Sequence, residues 1–364
     1  MALPYTGVRM TNTDTVAPAL LAWQLHHGRH DLPWQRQPTA YRVWVSEIML
    51  QQTQVTTVID YFDRFMQRFP DLRTLANAPL DEVLHLWSGL GYYSRARNLH
   101  RSAQQLVAAH SDGLSARVDL PADLAALAKL PGIGRSTAAA IRALSAGERV
   151  AILDGNVRRV LARFFLVTGV PTQRAIEQRL WELAEACTPP QDVAEYTQAI
   201  MDLGATVCMR RRPVCALCPL EQDCGARRTC RQLEIPTPRP RPVRRTRAVV
   251  MLLAQRGDGS VLLERRPERG VWGGLWCPPQ FPSIEAAQLF AATRLQAAEV
   301  ATRSQSVVRH AFTHFELQIS PLYARCSGWG GVMDGAHALW YNPAQPQRLG
   351  LPAPVTALLQ NLMS

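Results

Sequence analysis

Four cysteines close together in the sequence constrain the fold more than any other feature. They follow the spacing Cys-x6-Cys-x2-Cys-x5-Cys, at Cys208, Cys215, Cys218 and Cys224. Disulfides are uncommon in the cytosol, whereas four thiolates this close in sequence can converge on one metal centre. Sulfur coordination suits both zinc and an iron–sulfur cluster, so the ligands alone leave the metal open. The other four cysteines are scattered, which is typical of small buried hydrophobic residues.

The charge of the chain indicates its class of partner. The 364 residues carry a formal charge of +11, and only Lys129 among the basic residues is not arginine. This favours a polyanionic partner, with solubility as the alternative explanation. Residues 210–212, three arginines inside the first loop of the cysteine motif, suit a DNA-facing loop. No apolar run could span a bilayer and residues 1–10 lack a secretory signal, so we expect a soluble, cytoplasmic protein.

The pattern of apolar residues divides the chain into two regions. Residues 1–230 predict an all-α domain, because helical spacing recurs between turns that contain glycine or proline. The predicted helices cover residues 15–27, 41–69, 80–86, 94–110, 124–130, 136–145, 156–167, 173–185 and 194–208.

A basic, proline-rich segment follows. Residues 227–247 hold eight arginines and four prolines, which predicts an extended linker over 231–247 whose arginines are either solvated or in contact with phosphates. Beyond it, residues 248–364 predict an α+β domain. A hairpin over 248–254 and 261–264 would be followed by a helix over 283–298 and by strands over 307–312, 317–323 and 338–341.

A glycine turn between two predicted helices points to a phosphate contact. In Leu130-Pro131-Gly132-Ile133-Gly134-Arg135-Ser136-Thr137-Ala138, backbone N–H groups at the second helix could bind a phosphate. A dinucleotide fold would need a preceding strand and a small residue in place of Thr137. A helix–hairpin–helix motif that grips the DNA backbone fits better, although such turns also occur for steric reasons.

Two carboxylates lie in sequence contexts that suit acid–base chemistry. Glu47 lies in the apolar stretch Val43-Trp44-Val45-Ser46-Glu47-Ile48, where desolvation would raise its pKa and suit a general acid. Asp154 precedes Gly155-Asn156 and also fits a plain helix cap. A surface position for Glu47 is the alternative. Together the two would suit cleavage of a glycosidic bond.

Two adjacent tyrosines follow a glycine-rich turn in Gly89-Leu90-Gly91-Tyr92-Tyr93-Ser94-Arg95. An enzyme that acts on a stacked base must extrude it, and an inserted side chain helps to fill the gap. We expect Tyr92 to provide this wedge and Tyr93 to belong to the core.

With these motifs, the chain resembles the adenine DNA glycosylases of the MutY type, within the endonuclease III-like helix–hairpin–helix superfamily. The resemblance is carried by residues 32–34, 45–54, 89–97, 130–138 and 153–157. It implies an all-α helix–hairpin–helix glycosylase domain, with the hairpin near residues 124–145, and an α+β Nudix-like C-terminal domain. It also implies a [4Fe–4S] cluster on the loop of residues 208–224.

The resemblance assigns roles to individual residues. Glu47 would protonate the adenine, and Asp154 would stabilise the sugar cation or form a transient adduct, supported by Ser136 and Asn156. The adenine pocket would consist of Trp34, Leu50, Gln198 and Met201. Contacts with DNA would come from Gln51, Gln52, Thr53, Tyr92, Gly132, Gly134 and Arg158. The family usually has lysine at this last position, so the charge is kept in a different shape.

One position separates related enzymes. Where endonuclease III-type enzymes carry the lysine that forms an imine with the sugar, this chain has Ser136. We therefore expect a mainly monofunctional glycosylase that leaves an abasic site in an intact strand. An oxidised-pyrimidine glycosylase with lyase activity is the alternative.

The resemblance also predicts a recognition role for the C-terminal domain. Residues 281–298 lack the acidic run of a catalytic Nudix box, so we expect neither pyrophosphatase activity nor a catalytic metal there. Phe312, Thr313 and His314 match the loop that recognises 8-oxoguanine, with threonine in place of the common serine. The pair His310 and His314 lacks a third metal ligand nearby.

The expected substrate is double-stranded DNA with adenine opposite 8-oxoguanine or guanine. We expect a monomer beside the nucleoid; the family's replication and repair partners cannot be assigned to residues. A Nudix nucleotide hydrolase and a non-catalytic damage-binding protein are further alternatives. The missing acidic box argues against the first, and the presence of Glu47 and Asp154 argues against the second.

Overall fold

The computed structural model describes residues 13–110, 118–238, 243–295, 297–301, 307–326 and 337–362. The chain forms two compact units. The first comprises Met1–Arg73 and Arg101–Pro240, and the second comprises Thr74–His100 and Arg241–Ser364. Residues 74–100 thus pack with the C-terminal part of the chain, although they lie within the helical region of the sequence.

Helices account for the regular structure described before residue 245, apart from short 3-10 turns. They are α1 (Val16–His27), α2 (Ala40–Leu50), α3 (Val55–Arg68), α4 (Leu72–Asn77), α5 (Leu80–Leu86), α6 (Ser94–Ala109), α7 (Leu124–Ala128), α8 (Arg135–Ala146), α9 (Gly155–Phe164), α10 (Arg174–Cys187), α11 (Val193–Thr206) and α12 (Gly225–Arg228). The all-α prediction for this region is confirmed. No helix among the described residues is long and apolar enough to cross a membrane.

The predicted helix over 41–69 is wrong in one respect, because the structure divides it into α2 and α3. Gln52, between the two helices, has a φ of +59°, a left-handed conformation that a continuous helix does not allow. The turn formed by residues 51–54 places polar side chains beyond the end of α2. The apolar spacing continues on both sides of the turn and so conceals it.

The core of the first unit joins its N-terminal and later helices. Leu20 of α1, Leu161 of α9 and Leu203 of α11 are fully buried in one hydrophobic cluster. In α9 and α11 the apolar residues recur at helical spacing, which turns one face of each helix towards this core. The partly buried Cys208, Cys218 and Cys224 pack against the same cluster.

The second unit is built on one mixed sheet. Its strands are β1 (Arg245–Arg256), β2 (Val261–Arg265), β3 (Trp276–Cys277), β4 (Gln280–Phe281), β5 (Ala297–Ala301), β6 (Val308–Ala311), β7 (Phe315–Cys326) and β8 (Ala338–Tyr341). The main order is β3-β2-β1-β7-β5, while β4, β6 and β8 pair with β1, β7 and β2. The long strands β1 and β7 are parallel, with Arg245 opposite Phe315. The predicted hairpin is confirmed as β1 and β2, with Gln255 opposite Val261.

Two helices complete the second unit, α13 (Ile284–Arg294) and α14 (Ala353–Gln360). Alternate β1 residues, such as Leu252 and Ala254, pack with Ala287 and Ala291 of α13 in one buried cluster. Small alanines on α13 allow the helix to lie close to the strand, so that residues on this face of the sheet are buried.

Two predictions in this part of the chain are wrong, and one helix was missed. The helix predicted over 283–298 ends at Arg294, and β5 begins at Ala297. Pairing with β7 outweighs the local helical preference of this alanine-rich stretch. Strand β1 begins at Arg245, inside the predicted linker, because residues there pair with β7. Helix α14 follows Pro352, which caps it, and was not predicted.

Candidate active site

A cavity of about 900 Å³ in the first unit gathers most of the predicted catalytic and pocket residues. It lies where the end of α2 and the following turn meet the beginnings of α8 and α9 and one side of α11. The predicted residues that line it are Trp34, Glu47, Leu50, Gln51, Gln52, Thr53, Ser136, Asp154, Asn156, Gln198 and Met201. Residues far apart in sequence thus converge on one space large enough for a nucleobase and its sugar.

Glu47 has the electrostatic character of a general acid. Its side chain is half-buried on α2 and lines the cavity. Burial, followed by the nearby charge of Asp154, raises the pKa of the Glu47 carboxyl to about 7. A carboxylic acid with this pKa keeps a proton available near neutral pH.

Asp154 caps α9 and at the same time faces the cavity. Its Oδ1 accepts hydrogen bonds from the backbone N–H of Asn156 at 3.0 Å and of Val157 at 2.7 Å. The side-chain amide of Asn156 donates to Oδ2 at 3.2 Å. Burial raises the pKa of Asp154, while these hydrogen bonds and the charge of Arg159 oppose that shift. These hydrogen bonds hold the carboxyl group of Asp154 in one position at the cavity.

Ser136 holds the backbone that leads into Asp154. Its Oγ accepts a hydrogen bond from the N–H of Leu153 at 3.0 Å. The hydroxyl at the beginning of α8 is thereby committed to positioning the next element, and it carries no amine for imine chemistry.

Arg159 is a residue of the site that the sequence reasoning missed. Its Nη2 donates to Asn156 Oδ1 at 2.9 Å and to the carbonyl of Gly204, and its Nε donates to the carbonyl of Cys208 at 2.7 Å. A basic residue one helical turn after Asn156 was the available signal. The guanidinium joins α9, α11 and the beginning of the cysteine loop.

An ion pair between Arg29, which lines the cavity, and Asp202 was also missed by sequence reasoning. Asp202 on α11 is fully buried. It accepts hydrogen bonds from Arg29 Nε at 2.8 Å, from the Arg29 backbone N–H at 2.8 Å and from Gln198 Nε2 at 2.7 Å. Gln198 lines the cavity, and one N–H of its side-chain amide is engaged with Asp202. The spacing of four residues between Gln198 and Asp202 on α11 was a sequence signal for their contact, whereas the sequence carried none for Arg29.

Helix α11 packs closely against α9, which fixes the relative positions of the cavity residues on the two helices. A Cβ atom built on Gly204 would lie 2.6 Å from Asn156 Cβ and 3.0 Å from Asn156 Cα. We expect Gly204→Ala to lower the free energy of unfolding by about 1–3 kcal/mol, because the backbone of α9 would have to move. It should also slow the reaction of the site, because Asp154 and Asn156 lie on the displaced turn.

Gly155→Ala is the matched control, since no heavy atom lies within 4 Å of a Cβ at that position. Urea unfolding of both variants would measure the difference. An equal effect of the two substitutions on the free energy of unfolding would contradict the packing argument.

Apart from Tyr92, the predicted DNA-contacting residues are placed in three different ways. Gln51, Gln52 and Thr53 line the cavity on the turn after α2. Gly132 has a φ of +82° and Gly134 caps α8, so the hairpin turn has the backbone conformation that its glycines suggest. Arg158 is paired with Glu177 Oε1 at 2.9 Å, so a phosphate contact would have to replace this ion pair.

The four cysteines of the motif line one small cavity. The pKa of Cys218 is raised to about 12, chiefly by burial and also by the charges of the other three cysteines of the motif. Buried thiols this close become thiolates only beside a compensating cation. Arg163 Nη1 donates to Cys208 Sγ at 3.2 Å, the kind of contact that tunes metal–sulfur centres.

Within the described ranges, no group of three or more His, Cys, Asp or Glu side chains meets the geometry of a metal-ion site.

In the second unit, the predicted wedge and the predicted recognition loop are in contact. Tyr92 is 46 % exposed, and its hydroxyl lies 3.3 Å from Thr313 Oγ1. Tyr93 is buried as expected, and its hydroxyl donates to the carbonyl of Leu351 at 3.2 Å. Arg95 donates to the carbonyls of Leu90 and Gly91, which holds the turn that presents Tyr92.

Comparisons with known proteins bear on the family of the chain. Residues 45–186 match the family of HhH-GPD superfamily base excision DNA repair proteins, and residues 249–361 match the NUDIX domain family. Adenine DNA glycosylase of Buchnera aphidicola subsp. Acyrthosiphon pisum is 36 % identical over 94 % of this chain and 96 % of its own length. The chain belongs to the adenine DNA glycosylase family. The human adenine DNA glycosylase is 36 % identical over 73 % of this chain and 57 % of its own length.

Solved structures place this adenine DNA glycosylase family member in the expected superfamily. A thermostable thymine-DNA glycosylase covers 60 % of the chain with a TM-score of 0.53 and 25 % identity. An endonuclease III–DNA complex covers 61 % with a TM-score of 0.50, and its 19 % identity shows the fold alone. The predicted fold class, a helical glycosylase domain followed by a Nudix-like domain, is confirmed. The endonuclease III-type alternative is not favoured.

Proposed function

We propose that this protein hydrolyses the N-glycosidic bond of adenine placed opposite 8-oxoguanine, and more slowly opposite guanine, in double-stranded DNA. Removal of this adenine would prevent G:C to T:A transversions. The observation that carries the proposal is the pairing of Glu47, with its pKa of about 7, and the capped Asp154 in one cavity. Two carboxyl groups in different environments suit the acid and charge-stabilising roles of glycosidic cleavage.

In the proposed reaction, Glu47 donates its proton to N7 of the flipped adenine. The bond between C1′ and N9 then breaks, and its electron pair leaves with the neutralised base. Asp154 stabilises the positive charge on the sugar or adds to C1′ transiently, and water completes the hydrolysis. Ser136 and Asn156 keep Asp154 in place through the hydrogen bonds described above. Trp34, Leu50, Gln198 and Met201 would surround the base.

The strand should remain intact after base release. A lyase reaction requires an amine that attacks C1′, and Ser136 occupies the position where related lyases have lysine. The hydroxyl of Ser136 is moreover engaged with Leu153 N–H. We therefore assign a monofunctional reaction whose product is an abasic site.

Recognition of the opposite base is assigned to Tyr92 with Phe312, Thr313 and His314, and to the turn at Gln51, Gln52 and Thr53. The contact between Tyr92 and Thr313 supports a joint role, since it brings an exposed aromatic ring beside exposed polar groups. Gly132, Gly134 and Arg158 would bind the DNA backbone. The Nudix-like domain would bind DNA without pyrophosphatase activity.

Cys208, Cys215, Cys218 and Cys224 would hold a [4Fe–4S] cluster. Its iron–thiolate bonds would tie residues 208–224 into a fixed loop, and this loop presents the exposed Arg210, Arg211 and Arg212 to solvent. We assign the glycosylase domain to 1–230, the linker to 231–247 and the recognition domain to 248–364, in a monomer that acts on the bacterial nucleoid.

Single-turnover cleavage of labelled duplexes would test the proposal. Duplexes with adenine opposite 8-oxoguanine, guanine or thymine would be treated with protein of measured iron content, with and without alkali afterwards. We expect breaks in the adenine strand only after alkali, fastest opposite 8-oxoguanine and absent opposite thymine. Breaks without alkali would contradict the monofunctional assignment. Failure of an iron-loaded preparation to release adenine would contradict the function itself.

A further inference from the structure

The loop before β3 in the second unit contains three residues with a left-handed backbone conformation. Gly270, Trp272 and Gly274 all have left-handed φ angles, +101°, +55° and +75°. A Cβ on Gly273 would lie 2.1 Å from the carbonyl oxygen of Glu268, so the loop closes too tightly for any other residue there. Bulky aromatic residues rarely adopt the conformation of Trp272, and such strain is retained where surrounding contacts hold it in place.

The loop uses this conformation to place a buried indole. Trp272 is only 7 % exposed. Its ring lies 5.7 Å from the ring of His310 and 5.7 Å from that of Phe312. The rings of His310 and Phe312 meet edge to face at 4.8 Å. Trp272 therefore packs against both residues that lead into the exposed Thr313 and His314.

Phe312 is held from its other side as well. Its ring stacks on Phe315 at 4.5 Å, and its backbone N–H donates to the Phe315 carbonyl at 2.9 Å. Phe312 thus has one aromatic partner on its own strand pair and another on the loop before β3. The loop itself is attached to α6, since Arg97 Nη1 donates to the carbonyl of Gly273 at 2.5 Å.

We propose that Trp272 is a positioning residue for the recognition segment, residues 312–314, and that it sets the preference for 8-oxoguanine over guanine opposite the adenine. The inference rests on the proposed function, because it needs this segment to contact the opposite base. Trp272 acts through Phe312 and does not itself touch DNA, since its ring is buried. The preference depends on the exact position of Phe312, because 8-oxoguanine and guanine differ by a few atoms at one edge.

The test compares three variants. Trp272→Leu removes the aromatic contact, Trp272→Phe retains a smaller ring, and Trp340→Leu is the matched control. Trp340 is 8 % exposed, lies in the core of the same unit and packs beneath Arg256. Single-turnover rates of adenine release opposite 8-oxoguanine and opposite guanine would be measured beside the thermal midpoint of unfolding. Hydrogen exchange of the Phe312 amide would be followed in each variant.

We expect Trp272→Leu to reduce the ratio of the two rates by about tenfold, the size of one or two aromatic pairs. The rate opposite guanine should stay unchanged at saturating protein, and exchange of the Phe312 amide should accelerate. Trp272→Phe should reduce the ratio by about threefold. This variant still tests the proposal if the leucine variant does not fold. Trp340→Leu should leave the ratio and the Phe312 exchange as in the unaltered protein, whatever its effect on the thermal midpoint.

An unchanged ratio in both Trp272 variants would overturn the proposal, as would an equal loss in Trp340→Leu. An unaltered protein that shows no preference for 8-oxoguanine would overturn the assignment of the recognition segment and this inference with it. Faster Phe312 exchange with an unchanged ratio would refute the inference alone and leave the proposed function standing.

Discussion

Glu47→Gln should reduce single-turnover adenine release by roughly a hundred- to ten-thousand-fold, the contribution of a positioned general acid. Glutamine keeps the shape of the side chain but cannot give up a proton to the leaving base. Binding of the duplex should be retained, because the substitution removes a half-buried carboxyl from the cavity and adds no bulk. The rate on the duplex with adenine opposite 8-oxoguanine, and the affinity for it, are the two measurements.

The pH dependence gives a second readout for Glu47. Since the pKa of Glu47 is raised to about 7, the protonated acid becomes scarcer above neutral pH, and the rate should fall about tenfold per pH unit there. The free energy of unfolding also falls with rising pH, because of the same raised pKa. A folded-state pKa above the unfolded value means that stability falls as pH rises from the ordinary carboxyl pKa to about 7 and stays reduced above it. Glu47→Gln should therefore be more stable than the unaltered protein at pH 8.

Glu195→Gln is the control, because Glu195 is exposed in the first turn of α11. It should change neither the rate nor the pH profile. If Glu47→Gln kept full activity, or if its rate fell above neutral pH just as in the unaltered protein, another group would have to be the acid.

Asp154→Asn should reduce adenine release by a factor similar to that of Glu47→Gln, although the fold should be preserved. Asparagine is as good a helix cap as aspartate, so the bonds to Asn156 and Val157 can persist. What is lost is the negative charge that faces the developing sugar cation. The measurement is the single-turnover rate together with urea unfolding.

Asp154→Ala separates the two roles of this residue. It should lose activity to the same extent and also lose about 1 kcal/mol of unfolding free energy, since alanine cannot cap α9. Equal stability of the two variants would show that the cap contributes little. An active Asp154→Asn protein would mean that the carboxylate is structural and that the sugar cation is stabilised by other groups.

The elements with strong local signals were predictable from sequence. Helix α5 and strand β8 have the predicted bounds, and α9 begins within one residue of its prediction, because a capping Asp and a glycine mark its start. The short strands β3 and β4 were not predicted. They comprise two residues each and exist only because β2 and β1 provide partners.

The candidate site likewise contains residues that local sequence signals could predict and residues that they could not. Glu47 and Asp154 could be named from their neighbours in sequence, since an acid in an apolar helix and an acid before a helix each have a local meaning. Arg29 and Asp202 could not, because their importance depends on partners that lie elsewhere in the chain, and the local signal at Arg159 did not reveal its bonds to Gly204 and Cys208. Arg29 and Asp202 are 173 positions apart and meet at 2.8 Å.

The sequence by itself determined the cysteine motif and the local contexts of the two carboxylates, because each depends on residue types at short spacing. Its motifs also carried the resemblance that implied the family and the two domain types. Only the tertiary structure decided that α2 and α3 separate at Gln52, that residues 74–100 pack with the C-terminal unit, and that a strained Trp272 lies against Phe312. These features arise from long-range packing. Its free energy depends on which surfaces meet, so it leaves no periodic pattern in the sequence.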